Sequence, residues 1–170
     1  MSVLLALSYV AHVVAGGLWT GGVAYAAVAV FPAARRGDLS APGLGRSVDW
    51  LLQTTRATGV VLPLTGGYQI WRLYPLPRLL GTTRGHLVLG MLALWGLMNG
   101  LVELGVYRMR MAEGSRMGLG RHTIERFGLD DDADARGAAE VARPYVLAAA
   151  ALGVLLLVDA ALLAGGPGGV

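Results

Sequence analysis

Residues 1–34, MSVLLALSYVAHVVAGGLWTGGVAYAAVAVFPAA, contain no charged side chain; the first is Arg35. An apolar helix of about 20 residues crosses the hydrocarbon of a bilayer, so this run is long enough to do so. It is longer than a signal-peptide core and lacks a basic amino-terminal flank, so it reads as a retained helix. Working outward, the pattern recurs three times. Trp50 to Trp71 spans roughly 31 Å at about 1.5 Å per residue, with a tryptophan at each interface. His86 to Tyr107 has the same length. A fourth segment starts at Pro144, a good first-turn residue, and ends before the flexible tail Gly165-Gly166-Pro167-Gly168-Gly169.

The reading is an all-α integral membrane four-helix bundle, one domain over 1–170, with spans of about 5–31, 48–72, 85–107 and 144–164 and a loop at 108–143. Composition agrees: 55% of the 170 residues are apolar and only 15% charged, against about a quarter charged in soluble domains. That excludes disorder, a nucleic-acid binder and an ordinary cytosolic enzyme. The absence of cysteine removes disulfides, thiolate metal sites and cysteine nucleophiles. All 14 basic residues are arginine, so no lysine base or Schiff base is available. Ten arginines flank the ends of spans one and three and the start of span four, against three between spans two and three. The bias places both termini outside and the 108–143 loop in the cytoplasm of a multi-pass cell-membrane protein.

The 108–143 stretch is the one soluble-looking part. Its run Asp130-Asp131-Asp132-Ala133-Asp134, with His122 and Glu125 nearby, could invite a metal, but it lacks calcium-loop spacing and reads as a solvated acidic loop. No phosphate-binding glycine loop, zinc signature or hydrolase elbow occurs, and no catalytic set is legible.

Ionisable residues at membrane depth cost about 2.5 to 3.5 kcal/mol each on insertion scales, so each needs a reason. Arg56 lies roughly 9 Å above Trp50, and Glu103 roughly 6 Å above Tyr107, so opposite charges on two helices meet at one level and are expected to pair. Nearer the outer surface, His12 lies about 28 Å above Phe31 and His86 about 31 Å above Tyr107, level on separate helices, with Asp159 a turn or two below. Pro63 with Gly66-Gly67 should loosen the second helix at that depth. These features outline an outward-facing polar pocket of His12, His86 and Asp159 as ligand candidates, walled by Trp19, Pro63, Thr65, Tyr68 and Gly90. Gly17 to Gly21 and Gly96 to Gly100 are small-xxx-small patterns, expected mainly to serve packing within the protomer, with a homo-oligomer as the alternative.

The segment His12-Val13-Val14-Ala15-Gly16-Gly17-Leu18-Trp19-Thr20-Gly21-Gly22 resembles the copper resistance protein D (CopD) family: a histidine early in a helix, tryptophan seven residues on, then a glycine pair. Leu64-Thr65-Gly66 and Gly85-His86-Leu87 are similar to it as well, and the likeness extends over the four-helix membrane domain. The resemblance implies copper handling or transport, with His12 and His86 as the positions carried over. A weaker resemblance links the chain to the HemJ-type four-helix proteins, which are associated with haem b; these use a third-span lysine that this chain lacks. Copper binding or transport is therefore the expected function. The alternatives are a haem-b membrane redox protein, with the two histidines as axial ligands, and a non-catalytic scaffold or complex subunit in the bilayer.

Overall fold

The computed structural model describes residues 2–114 and 118–165. Among these, all regular structure is helical. Helix α1 (Val3–Tyr25) passes through a π-helical turn at Ala26–Val30 into α2 (Phe31–Arg36) without a break. Then follow α3 (Ala41–Leu73), the short α4 (Leu76–Gly81), α5 (Thr83–Ala112), the single-turn α6 (Leu119–His122) and α7 (Ala135–Gly165). The glycine-rich tail beyond Gly165, and Arg116 of the charge bias, lie outside the described residues.

The helix starts are written in small polar side chains. Ser2 Oγ accepts from the Leu5 amide at 3.3 Å, Ser40 Oγ from Gly43 at 3.3 Å, and Thr82 Oγ1 from Gly85 at 3.1 Å. Asp134 Oδ1 accepts from the Gly137 amide at 2.9 Å. Each such cap is worth about 1 kcal/mol and satisfies an amide that the helix cannot. Asp134 explains why the last helix begins at Ala135, well before Pro144, which sits inside it. The π turn precedes Pro32, which has no amide to give Val28; the ladder re-forms with Phe31 donating to the Ala26 carbonyl.

Three helices are long and apolar enough to cross a membrane: Val3–Arg36, Thr83–Ala112 and Ala135–Gly165. Helix α3 is as long, but Arg46, Asp49, Arg56 and Arg72 interrupt its apolar run. It also runs unbroken through Pro63 and Gly66-Gly67, where the sequence led us to expect a loosened helix. Large apolar side chains such as Leu7, Val10, Val13, Leu64 and Leu155 are exposed on the long helices, a surface suited to lipid. The chain is a membrane protein by this measure.

Packing is uneven along the helices. Helix α1 lies against α3, α5 against α7, and the π turn with α2 closes onto α7. The buried side chains gather toward one end: those of α3 stop at Thr58, those of α5 resume at Met98 after Gly85, and those of α7 end at Gly153 apart from Asp159. Leu44, Leu52, Met98, Val102, Val106, Met109, Ala142 and Val146 form this core. Backbones approach closely there: a Cβ on Gly105 would lie 2.9 Å from Tyr145 Cβ. The small-xxx-small glycines do not contribute. A Cβ at Gly17, Gly21, Gly96 or Gly100 would meet nothing within 4 Å, so these faces are turned away from the other helices of the chain, contrary to the packing expected of them.

The segment 118–134 folds back onto the packed end. Phe127 is buried in the core, and Gly45 of α3 leaves room for the returning backbone, where a Cβ would come within 2.8 Å of the Leu129 nitrogen.

Candidate functional site

At the packed end, four charged residues of α3 and α5 clamp the returning segment. Arg56 Nε and Nη2 grip both carboxylate oxygens of Glu103 at 2.7 and 2.9 Å, a bidentate fork. The same Nη2 also donates to the His122 carbonyl at 3.0 Å, and Nη1 reaches the Glu125 carbonyl at 3.4 Å. Arg110 Nη2 donates to the carbonyls of Glu125 at 3.0 Å and Arg126 at 2.6 Å, and its guanidinium lies 5.4 Å from the Phe127 ring centre. Asp49 accepts from the Phe127 amide at 2.9 Å and from Arg126 Nε at 3.0 Å. The returning segment thus supplies carbonyls to arginines and an amide to a carboxylate, which fixes its backbone beyond the single turn of α6.

His122 is the most deeply buried member of this cluster, with no exposed surface. Its Nε2 lies 3.0 Å from Glu103 Oε2, but off the hydrogen-bond axis, so neither ring nitrogen has an aligned partner. Tyr107 meets the imidazole edge-on at 5.4 Å between ring centres. Burial lowers the His122 pKa below the ordinary imidazole value; Glu103 opposes the shift, and the Arg110 and Arg56 guanidinia reinforce it. His122 is therefore held neutral. Glu125 turns to Arg121 and Arg110, so neither residue joins the acidic run. Asp130, Asp132 and Asp134 instead line a hollow of about 590 Å³ together with Arg110 and Arg126.

The other end holds the histidines. His12 Nδ1 lies 2.8 Å from Thr65 Oγ1. That hydroxyl has one proton, and it points back to the Val61 carbonyl at 2.7 Å. Thr65 can then only accept, so His12 carries its proton on Nδ1 and keeps the Nε2 lone pair. The imidazole packs over Gly66, where a Cβ would come within 3.1 Å of its Cε1, and Gln69 Nε2 bonds the Ser8 carbonyl at 3.2 Å one turn further out. Across the molecule, buried Asp159 faces Gly90 of α5, and its Oδ2 has no hydrogen-bond partner.

Depth follows from the contact between Gly59 on α3 and Asn99 on α5. Counting outward from it, Gly66 with His12 stands about 10 Å up, and Gly90 with Asp159 about 13 Å up, within one turn of each other. His86 stands about 20 Å up. It is exposed, and its Nε2 donates to the Leu80 carbonyl at 2.8 Å, which ties it to α4. The structure therefore sets His12 and Asp159 in one layer and His86 above it. Phe31 and Tyr107, the rulers used for the sequence depths, lie on helices offset along their axes. Among the described residues, no three His, Asp or Glu side chains come close enough to hold a metal ion, so His12, His86 and Asp159 do not form one ligand set.

The pocket residues divide in the same way. Thr65 touches His12 and Gly90 touches Asp159. Trp19 belongs to the core and donates from Nε1 to Asn99 Oδ1 at 3.1 Å, Tyr68 stacks obliquely on Trp71, and Pro63 is exposed. Arg56 and Glu103 are brought together, whereas Asp49, Arg110 and His122 enter the clamp without having been singled out as its members. The signal for the last was a lone histidine and a lone phenylalanine in an otherwise charged segment.

Scans against family models, curated proteins and solved structures found no match.

Proposed function

We propose that the chain is a CopD-like four-helix membrane protein of the cell membrane, with four spans, both termini outside, and copper as its cargo at an outward-facing pocket centred on His12. The observation that carries this is the fixed chain Val61 carbonyl, Thr65 hydroxyl, His12 Nδ1–H. A ligating histidine almost always donates its second ring nitrogen to an oxygen, which orients the ring and raises its basicity. His12 has that arrangement, with Nε2 presented as a neutral imidazole donor suited to copper. Asp159, with one oxygen unpartnered in the same layer, adds an anionic group for a passing cation. One oriented imidazole holds an ion loosely, which suits transport, since a transported ion must also leave. His86, exposed and tied to Leu80, stands above as an entry residue rather than a co-ligand.

Copper content of the purified full chain tests the reading. In equilibrium dialysis wild type should bind copper in excess of the free ion, and His12→Ala should not, with helicity unchanged. Equal copper in both proteins overturns the proposal. A Soret band that disappears in His12→Ala would replace copper with haem b. Orientation is read separately, because the chain has no cysteine: Ser2→Cys should react with an impermeant maleimide on intact cells, and Thr123→Cys only after permeabilisation.

A further inference from the structure

A second groove lies at the packed end beside the π turn, which leaves the first helix wider than a regular one. It measures about 340 Å³ and is lined by Gly22, Tyr25, Ala26 and Val30 from the first helix and by Arg46, Ser47, Trp50, Leu51 and Thr54 from α3. Its floor is apolar, formed by Ala26, Val30 and Leu51, all buried. Its rim carries two aromatic rings that project outward, Tyr25 at 65% and Trp50 at 75% exposure. Aromatic residues in that posture mark the headgroup level of a bilayer. One turn beyond Trp50, at the end of the groove away from the hydrocarbon, stands Arg46. It is exposed, and among the described residues no carboxylate pairs with it.

We infer that this groove binds one anionic phospholipid of the inner leaflet, an acyl chain lying over Gly22, Ala26 and Leu51 and the phosphate meeting Arg46. The inference rests on the four-span, arginine-inside orientation proposed above, but not on copper. Three features select this occupant. An apolar floor opening between aromatic rings takes a hydrocarbon chain. An unpaired guanidinium at the headgroup end takes a phosphate, whose geometry it matches bidentately. The cytoplasmic leaflet is the one enriched in anionic lipid. A π turn is a recurrent way to open such a site in a helix, and here the turn itself supplies Ala26 and Val30.

Native mass spectrometry of the full chain released from detergent, loaded with phosphatidylglycerol or with phosphatidylcholine of the same acyl chains, tests this. A single arginine near a headgroup favours the anionic lipid by about fivefold, so wild type should retain phosphatidylglycerol in about that excess. Arg46→Gln should bring the ratio to one, Arg46→Lys should keep most of it, and Gly22→Leu should lower retention of both lipids by filling the floor. Arg72→Gln, an exposed arginine at the far end of α3, should leave the ratio unchanged. A wild-type ratio of one, an unchanged preference in Arg46→Gln, or full retention in Gly22→Leu each overturns the inference. Maleimide labelling at Ser2→Cys and Thr123→Cys reports the orientation independently, so a failed lipid preference with the orientation intact condemns the groove and not the topology.

Discussion

The two ends of this molecule are built on opposite principles. At the packed end, side chains from every long helix close over Leu52, Met98 and Val146, and a ring of arginines and carboxylates ties down the returning segment. At the opposite end, His12 and Asp159 sit on separate helix pairs, one bonded to Thr65 and the other carrying an oxygen with no partner. Rigidity gathers where the charges of four helix residues tie down one returning segment, although the buried His122 ring there keeps two unpartnered nitrogens and Asp159 at the other end keeps one unpartnered oxygen. Removing one partner of a buried pair strands the other charge, so the packed end is intolerant of loss.

The clamp is where substitution does most harm. Glu103→Ala strands the Arg56 guanidinium between two carbonyls; the pair is largely but not fully shielded, with side chains 19% and 27% exposed, so the loss should be about 3 kcal/mol, the low end for broken buried pairs. Thermal unfolding of the full chain in detergent reads this. Leu52→Ala, fully buried at the same end, should cost about 2 to 3 kcal/mol, and Leu64→Ala, exposed on the outer half of the same helix, under about 0.5 kcal/mol. Equal losses for the two leucines would erase the contrast between the ends.

At the His12 end the expected effect is on binding and not on stability. Thr65→Val removes the acceptor that orients His12, and copper affinity measured by competition should fall about 10- to 100-fold. Thr65→Ser should restore it, with the melting temperature of both variants near wild type. An unchanged affinity in Thr65→Val would detach the hydroxyl from the site.

The subtlest effect is one of pH. The docked His122 has its pKa lowered below 6.5, so the undocked chain binds the proton more tightly. Stability contributed by the neutral imidazole is fully present above about 6.5 and is lost as pH falls below it. The rate of proteolysis within 118–129 should therefore rise as pH drops from about 7.5 to about 5.5, and the slope should flatten in His122→Gln. A rate independent of pH in wild type would mean that His122 does not stay neutral in the docked segment.

Some of this could be read directly from residue order. Long uncharged runs can only be helices in a bilayer, where each amide needs a partner within its own segment. Arg56 and Glu103 were legible as neighbours because intramembrane charges are rare and these two stand at similar depths. The clamp's other members were not legible, since Asp49, Arg110 and His122 meet through a segment that carries no helical or strand period. His86 was misplaced in depth because interface aromatics mark a zone and not a plane, and because its ring bonds Leu80 in a short helix that composition does not announce.

The sequence by itself marked four long helical segments, of which three prove apolar and long enough for a membrane, because hydropathy and length are summed locally along one segment. Tertiary structure decided which polar groups meet. It placed His12 beside Thr65 and left Asp159 facing a glycine, folded the 118–134 segment under two arginines, and opened a groove at the π turn. Those outcomes depend on helix rotation and axial offset, and a shift of one residue on a helix turns a side chain by about 100°, which no count along the chain can fix.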